Sequence, residues 1–183
     1  EGRFLSYPCS NVWGVDEGGV LGAVAMIAAG VDALLSADLG ALSSTELTSL
    51  LGGLEVQRRR GESVDQAVLA QVVQRGIAGE YARSSPVDLL VHLLRVSPRE
   101  AKARVVRARD LGPRRALTGE PLEPILAWVS AAQRAGEISG EHASVIIRAV
   151  ERIPDRCGPG FEEIVEAALL DQARHTHPGA VAT

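Results

Sequence analysis

The chain has 183 residues, of which 46% are apolar and 23% charged, with a formal charge of −4. That balance belongs to a folded globular chain and excludes wholesale disorder; the length allows a sizeable core without metal or disulfide support. The overall charge also excludes a uniformly basic nucleic-acid binder.

Only six residues are aromatic, so the core must be built from Leu, Val, Ile and Ala. Such a core suits packed helices better than a sandwich or barrel. The opening Glu1-Gly2-Arg3 lacks an initiator Met and reads as a protease-site scar or a fragment boundary. Residues 1–18 are therefore set aside as a tag or irregular segment, and 19–183 are expected to form a single helical domain.

The first periodic segment runs from Val20 to Leu35 and reads as a helix despite Gly22 and Gly30, each of which costs about 1 kcal/mol in a helix interior. Its apolar run lacks a basic lead, ends at Asp32 and is too short to span a bilayer. Ser43-Ser44-Thr45-Glu46 is a capping box. The helix it opens carries Leu47, Leu50, Leu51 and Leu54 on one face and is expected to end near Arg58-Arg59-Arg60-Gly61. A second box, Ser63 to Gln66, predicts a new helix start.

Ser85-Pro86-Val87-Asp88 and Ser97-Pro98-Arg99-Glu100 repeat one pattern: serine cap, proline at the first helical position, acid in the first turn. Gly112-Pro113 stops the second of these helices. A turn-rich loop follows, then helices over 125–135, 140–153 and 161–174, punctuated by Gly136 and Pro154. No strand pair or tight hairpin is signalled. The expected fold class is all-α, a compact bundle of seven or eight helices.

The charge is unevenly placed. Arg95, Arg99, Lys102, Arg104, Arg107, Arg109, Arg114 and Arg115 fall within 21 residues, opposed only by Glu100 and Asp110. That segment carries +6, which leaves −10 on the rest of the chain. Such asymmetry points to a polyanionic partner. The leucine-bearing helix from Asp88 and the capped helix after Ser97 have the layout of a helix-turn-helix pair, whose second helix offers its N-terminal residues to the major groove. On a helical wheel Ala101, Val105 and Ala108 form the buried stripe. Arg99, Lys102 and Arg109 lie on one flank, and Arg104 and Arg107 on the other, so the basic residues do not make one strip.

Other constellations carry less. Cys9 and Cys157 show no ligand spacing, and a reducing cytosol is the default compartment. His175-Thr176-His177 reads as a helix end, where His suits the C-terminal dipole, rather than as a metal cluster. His92 and His142 read as hydrogen-bonded structural residues. Glu162, Glu163 and Glu166 favour the start of their own helix electrostatically. No phosphate loop, nucleophile elbow or C-x-x-C pair is present. No catalytic residue, metal or cofactor is expected.

The stretch from Val96-Ser97-Pro98-Arg99-Glu100-Ala101-Lys102 through Asp110-Leu111-Gly112-Pro113-Arg114-Arg115-Ala116-Leu117-Thr118-Gly119-Glu120-Pro121-Leu122 resembles a known family. So do Ala131-Ala132-Gln133-Arg134-Ala135-Gly136-Glu137-Ile138-Ser139-Gly140-Glu141-His142 and the opening Val31-Asp32-Ala33-Leu34-Leu35-Ser36-Ala37-Asp38. The family is the thirteen-E-twelve repeat family of high-GC bacteria. The resemblance implies a helical N-terminal domain of unknown function, often followed by an HNH endonuclease domain. The HNH constellation itself is not found in these residues, so the resemblance transfers no catalytic residue.

Two readings follow. In the first, the chain is a non-catalytic module that binds or positions duplex DNA, with the eight basic residues contacting phosphates. In the second, it is a helical interaction or homo-oligomerisation module, and the arginines pair internally. Neither needs a membrane or a small-molecule cofactor, and a cytoplasmic location is expected. Arginines projecting together into solvent favour the first; carboxylates covering them favour the second.

Overall fold

The computed structural model describes residues 19–181, apart from the side chain of Asp155. Residues 1–18, set aside above, lie outside the described residues. The chain divides into a first unit that ends at Thr48 and a second that begins at Ser49.

The first unit contains helix α1 (Val20–Ser36) and a 3-10 turn over Leu39–Ala41. Asp38 starts that turn by accepting from the Gly40 N–H at 3.0 Å. The predicted capping box at Ser43 then opens α2 (Ser44–Gln74). The Ser43 N–H donates to Glu46 Oε2 at 2.8 Å, and Ser43 Oγ accepts from the Glu46 N–H at 3.3 Å. The Ser43 hydroxyl, which donates to Glu46 Oε2 at 2.7 Å, and after it the Ser43 N–H hold the Glu46 carboxyl below its usual value of 4.5.

The second unit holds the rest of α2 and then α3 (Ile77–Glu80), α4 (Pro86–Leu94) and α5 (Pro98–Leu111). After a small hairpin come α6 (Ala127–Ala135), α7 (Gly140–Val150), α8 (Phe161–His175) and α9 (Pro178–Val181). The all-α expectation holds, with α3 and α9 as single turns beside seven longer helices among the described residues. The main core gathers Leu111, Val129, Ile138, Ile146, Ile147 and Leu170. A second cluster, Leu69, Leu90, Ala101 and Ala108, seats α5 on α4 and α2.

Two expectations are corrected. First, α2 neither ends near Gly61 nor restarts at Ser63; it is one helix of 31 residues. Ser63 Oγ is buried without a partner among the described residues, so it caps nothing. The helix continues because its middle is bound to the rest of the unit. Arg59 Nη1 donates to the carbonyls of Glu137 at 2.8 Å and Gly136 at 3.3 Å, placing a cation at the C-terminus of α6 where the helix dipole favours one. Glu62 accepts from Gln133 Nε2 at 2.8 Å, and Gln66 Nε2 donates to Gln133 Oε1 at 2.8 Å. These contacts offset the roughly 1 kcal/mol that Gly61 costs.

Second, a hairpin does form. Strands β1 (Arg114–Arg115) and β2 (Pro121–Leu122) pair antiparallel, Arg114 opposite Leu122. Gly119 closes the connection at φ +93, a conformation glycine adopts without steric cost. Strands of two residues carry no alternation, which is why the sequence pattern did not show them.

Glycines bring α2 close to three helix ends. At Gly136, φ is +84 and a Cβ would sit 2.8 Å from Val56 Cγ1. At Gly140 a Cβ would collide with the Glu62 carboxylate, and at Gly112 with the Ala108 carbonyl and the Ala70 side chain. Two further contacts tie helix ends to other helices. His142 completes a capping box with Ser139: its Nδ1 accepts from the Ser139 N–H at 3.3 Å, so Nε2 donates to the Thr176 carbonyl at 2.9 Å. Glu166, expected to serve its own helix, is buried and accepts from the Val129 N–H of α6 at 2.9 Å.

Burial pushes the Glu166 carboxyl above its usual 4.5, although the Val129 and Trp128 amides act against this. The folded protein therefore holds this proton more tightly than the unfolded chain, and the contribution of Glu166 to stability falls as pH rises upward from about 4.5. Glu166→Gln should remove that slope. Urea midpoints of the variant and the parent, compared at pH 4.5 and pH 7, should lie furthest apart in pH response at this site. Parallel pH profiles for the two proteins would refute the assignment.

Candidate nucleic-acid interface

The basic segment is displayed by the α4–α5 pair and the hairpin after it. Each helix starts on a serine cap: Ser85 Oγ accepts from the Asp88 N–H at 3.1 Å, and Ser97 Oγ from the Glu100 N–H at 3.2 Å. Pro86 and Pro98 occupy the first helical turn, where a missing N–H costs nothing. Three residues, Arg95 to Ser97, separate the helices, and Arg95 turns the chain at φ 55, ψ 32. That left-handed conformation is unfavourable for a side chain larger than glycine by about 1–2 kcal/mol. The stripe Ala101 and Ala108 is buried, with Val105 packed against it, as the wheel requires. Fixing that stripe also fixes which basic residues face outward.

The eight basic residues divide into two groups. Arg104, Arg107 and Arg109 are tied to carboxylates. Arg104 Nε reaches Glu100 at 2.9 Å and its Nη1 reaches Asp65 of α2 at 3.7 Å. Glu100 is the main cause of the raised Arg104 pKa. The Arg107 side chain, only 13% exposed, lies 3.5 Å from Glu100 and donates to Ser144 Oγ at 3.1 Å. Arg109 grips buried Asp110 through two bonds of 2.5 and 2.7 Å and reaches Glu151 at 2.6 Å. Asp110 first, and Glu151 second, hold its guanidinium firmly protonated.

The other five are exposed. Arg95, Arg99 and Lys102 are exposed at the start of α5. Among the described residues neither Arg99 nor Lys102 has an ion-pair partner. Arg114 and Arg115 are exposed on β1 and, among the described residues, donate to main-chain carbonyls, those of Glu123 at 3.3 Å and Gly119 at 2.8 Å. A carbonyl orients a guanidinium without cancelling its charge. Arg99 and Lys102 lie in the first turns of α5, whose 14 residues extend about 21 Å, and Arg114 and Arg115 follow its C-terminal end.

Arg104 and Arg107 line a cleft of about 290 Å³ with Arg58, Glu62, Asp65, Gln66 and Glu100. Asp65 and Glu62 were not identified from the sequence. They lie more than thirty residues from Arg104 and Arg107, and no local pattern links them. Among the described residues no cluster of three or more His, Cys, Asp and Glu could hold a metal ion. His142 is committed to its cap and to Thr176. No described helix is long and apolar enough to cross a membrane.

These arrangements describe an all-α domain with a partly neutralised basic edge. Residues 48–183 match the family described as Domain of unknown function (DUF222), and the chain belongs to that family. It is 36% identical over 160 residues to the uncharacterized proteins MT1160 and Rv1128c of two Mycobacterium tuberculosis strains, covering 87% of this chain in each case. It is 35% identical over 150 residues to the uncharacterized protein Mb1179c of Mycobacterium bovis, covering 82% of this chain. The chain spans little more than a third of the length of these relatives, at 38%, 35% and 33%. No solved structure matches it.

Proposed function

We propose that the second unit is a non-catalytic module that binds duplex DNA and positions it for the HNH nuclease domain that the resemblance implies in longer members. The observation that carries this reading is the pair Arg99 and Lys102, exposed and, among the described residues, without carboxylate partners at the start of a helix that follows a three-residue turn. In a helix-turn-helix arrangement that end of the second helix faces the major groove. Arg95, Arg99 and Lys102 meet phosphates there, and Arg114 and Arg115, which follow the C-terminal end of α5, meet others. Arg104, Arg107 and Arg109 support the surface from within and contact no phosphate. With charge but no aromatic side chain among these residues, the contacts position the backbone and carry little base readout.

Duplex binding followed from 50 to 200 mM salt tests this reading. Five phosphate contacts correspond to a log–log slope of about −4.5, or roughly a 500-fold loss across that range. Eight contacts would give about −7. A slope near the larger value would return the three paired arginines to the interface. No measurable binding at 50 mM salt would overturn the DNA reading for this chain.

A further inference from the structure

We propose that Leu117 is a wedge, which enters the minor groove of duplex DNA, slips between two stacked base pairs and kinks the duplex. This rests on the DNA reading above. Leu117 stands at the tip of the β1–β2 hairpin with a fractional exposure of 110%, so no other described part of the chain covers it. A single exposed leucine is ordinary on a protein surface; this one is set apart by its position. Ala116 to Gly119 form a tight turn, in which the Gly119 N–H donates to the Ala116 carbonyl at 2.9 Å, and Leu117 is the first central residue. Such positions ordinarily hold proline, glycine or a short polar residue, each for a conformational reason. A leucine supplies none of those reasons.

The tip is held still. The Ala116 N–H donates to the Glu120 carbonyl at 2.9 Å, and Arg115 Nη1 reaches round the turn to the Gly119 carbonyl at 2.8 Å. At the base of the hairpin, Gln74 Nε2 of α2 donates to the Pro113 carbonyl at 2.8 Å, and the Leu126 N–H to the Asp110 carbonyl at 3.1 Å. A wedge has to keep its shape while it opens a stack, because ordering a loose loop would add to the cost of unstacking.

Charge and size select duplex DNA as the partner. Exposed Arg114 and Arg115 precede the tip on one arm of the hairpin, and exposed Glu120 and Glu123 follow it on the other. One arm is therefore positive and the other negative, and the hairpin meets a phosphate row with β1 leading. An apolar pocket on a protein would need no cations beside the leucine. The minor groove is about 6 Å wide, too narrow for a helix about 10 Å across but open to one leucine side chain. Aliphatic side chains that unstack a base step do so from that groove. Pyrimidine–purine steps such as TpA open most readily, so a sequence preference arises without a hydrogen bond to any base edge.

A duplex with 2-aminopurine beside a central TpA step and a dye at each end, mixed with the full chain at 50 mM salt, tests this. Binding should raise the 2-aminopurine fluorescence, as unstacking does, and bring the two ends closer through a bend of at least about 20°. Leu117→Ala should remove both signals and lower affinity about tenfold. It should keep the parent's salt slope, because it removes no phosphate contact. Its circular dichroism should match the parent, since Leu117 is fully exposed. No duplex binding at all overturns the DNA reading and this proposal with it. Binding that leaves the duplex straight and stacked overturns the wedge alone, as does a bend that Leu117→Ala preserves. Self-association without DNA that Leu117→Ala abolishes would give the leucine to a second copy and overturn the proposal too.

Discussion

Replacing Gly112 with alanine should lower the melting temperature by roughly 6–12 °C. Gly112 ends α5 at φ −76 and ψ 164, a conformation open to any residue, so the need for glycine is spatial. Its N–H donates to the Ala108 carbonyl at 3.0 Å. A Cβ would press on that same oxygen, and would lie 2.9 Å from the Ala70 Cβ and 3.2 Å from the Gln66 carbonyl. None of these atoms is the end of a flexible side chain. Relief requires α5 and α2 to separate, which disturbs the packing of Ala108 in the smaller core cluster.

Overpacking of this kind costs about 3 kcal/mol, and a chain of this size loses roughly 2–4 °C for each. Gly61→Ala is the matched control, because a Cβ there meets nothing within 4 Å. It sits inside α2, so alanine should stabilise the fold by about 0.5–1 kcal/mol. Thermal unfolding followed by circular dichroism compares the two. Equal melting temperatures for both variants would show that the approach of α2 to α5 does not matter.

Replacing Arg99 and Lys102 together with alanine should weaken duplex binding about 60-fold at 0.1 M salt and flatten the salt slope by about 1.8. Both side chains point away from the buried stripe, so unfolding curves should superimpose on the parent's. Arg107→Ala should behave in the opposite way. It leaves DNA affinity unchanged and costs about 1–2 kcal/mol of stability, because it removes the second of Glu100's two arginine partners and the bond to Ser144. If Arg107→Ala lowered affinity as strongly as the double variant, the division between paired and exposed arginines would be wrong. If neither changed it, DNA would bind elsewhere.

The parts of this protein legible in its sequence are those decided within one helical turn. The starts at Ser43, Ser85 and Ser97 form as read because the hydroxyl and the amide it accepts from are three residues apart. The stop at Gly136 and the buried stripe of α5 are equally local. Ser63 has the same local pattern as the other caps, yet it lies inside α2, because Arg59, Glu62 and Gln66 bind residues 67 to 78 positions away and hold the helix through it.

The basic segment was visible as composition, but composition does not say which charges survive folding. Asp65, Glu151 and Ser144 are brought to Arg104, Arg109 and Arg107 by the packing of α2 and α7 against α5. Glu166 likewise reaches α6 only because α8 lies against it. Sequence by itself determined the helices and the excess of arginine, since backbone hydrogen bonds and caps are satisfied by near neighbours. Tertiary structure completed the neutralisation: Glu100 lies four residues before Arg104 and Asp110 beside Arg109, but Asp65, Ser144 and Glu151 arrive from other helices, since an ion pair depends on distance in space.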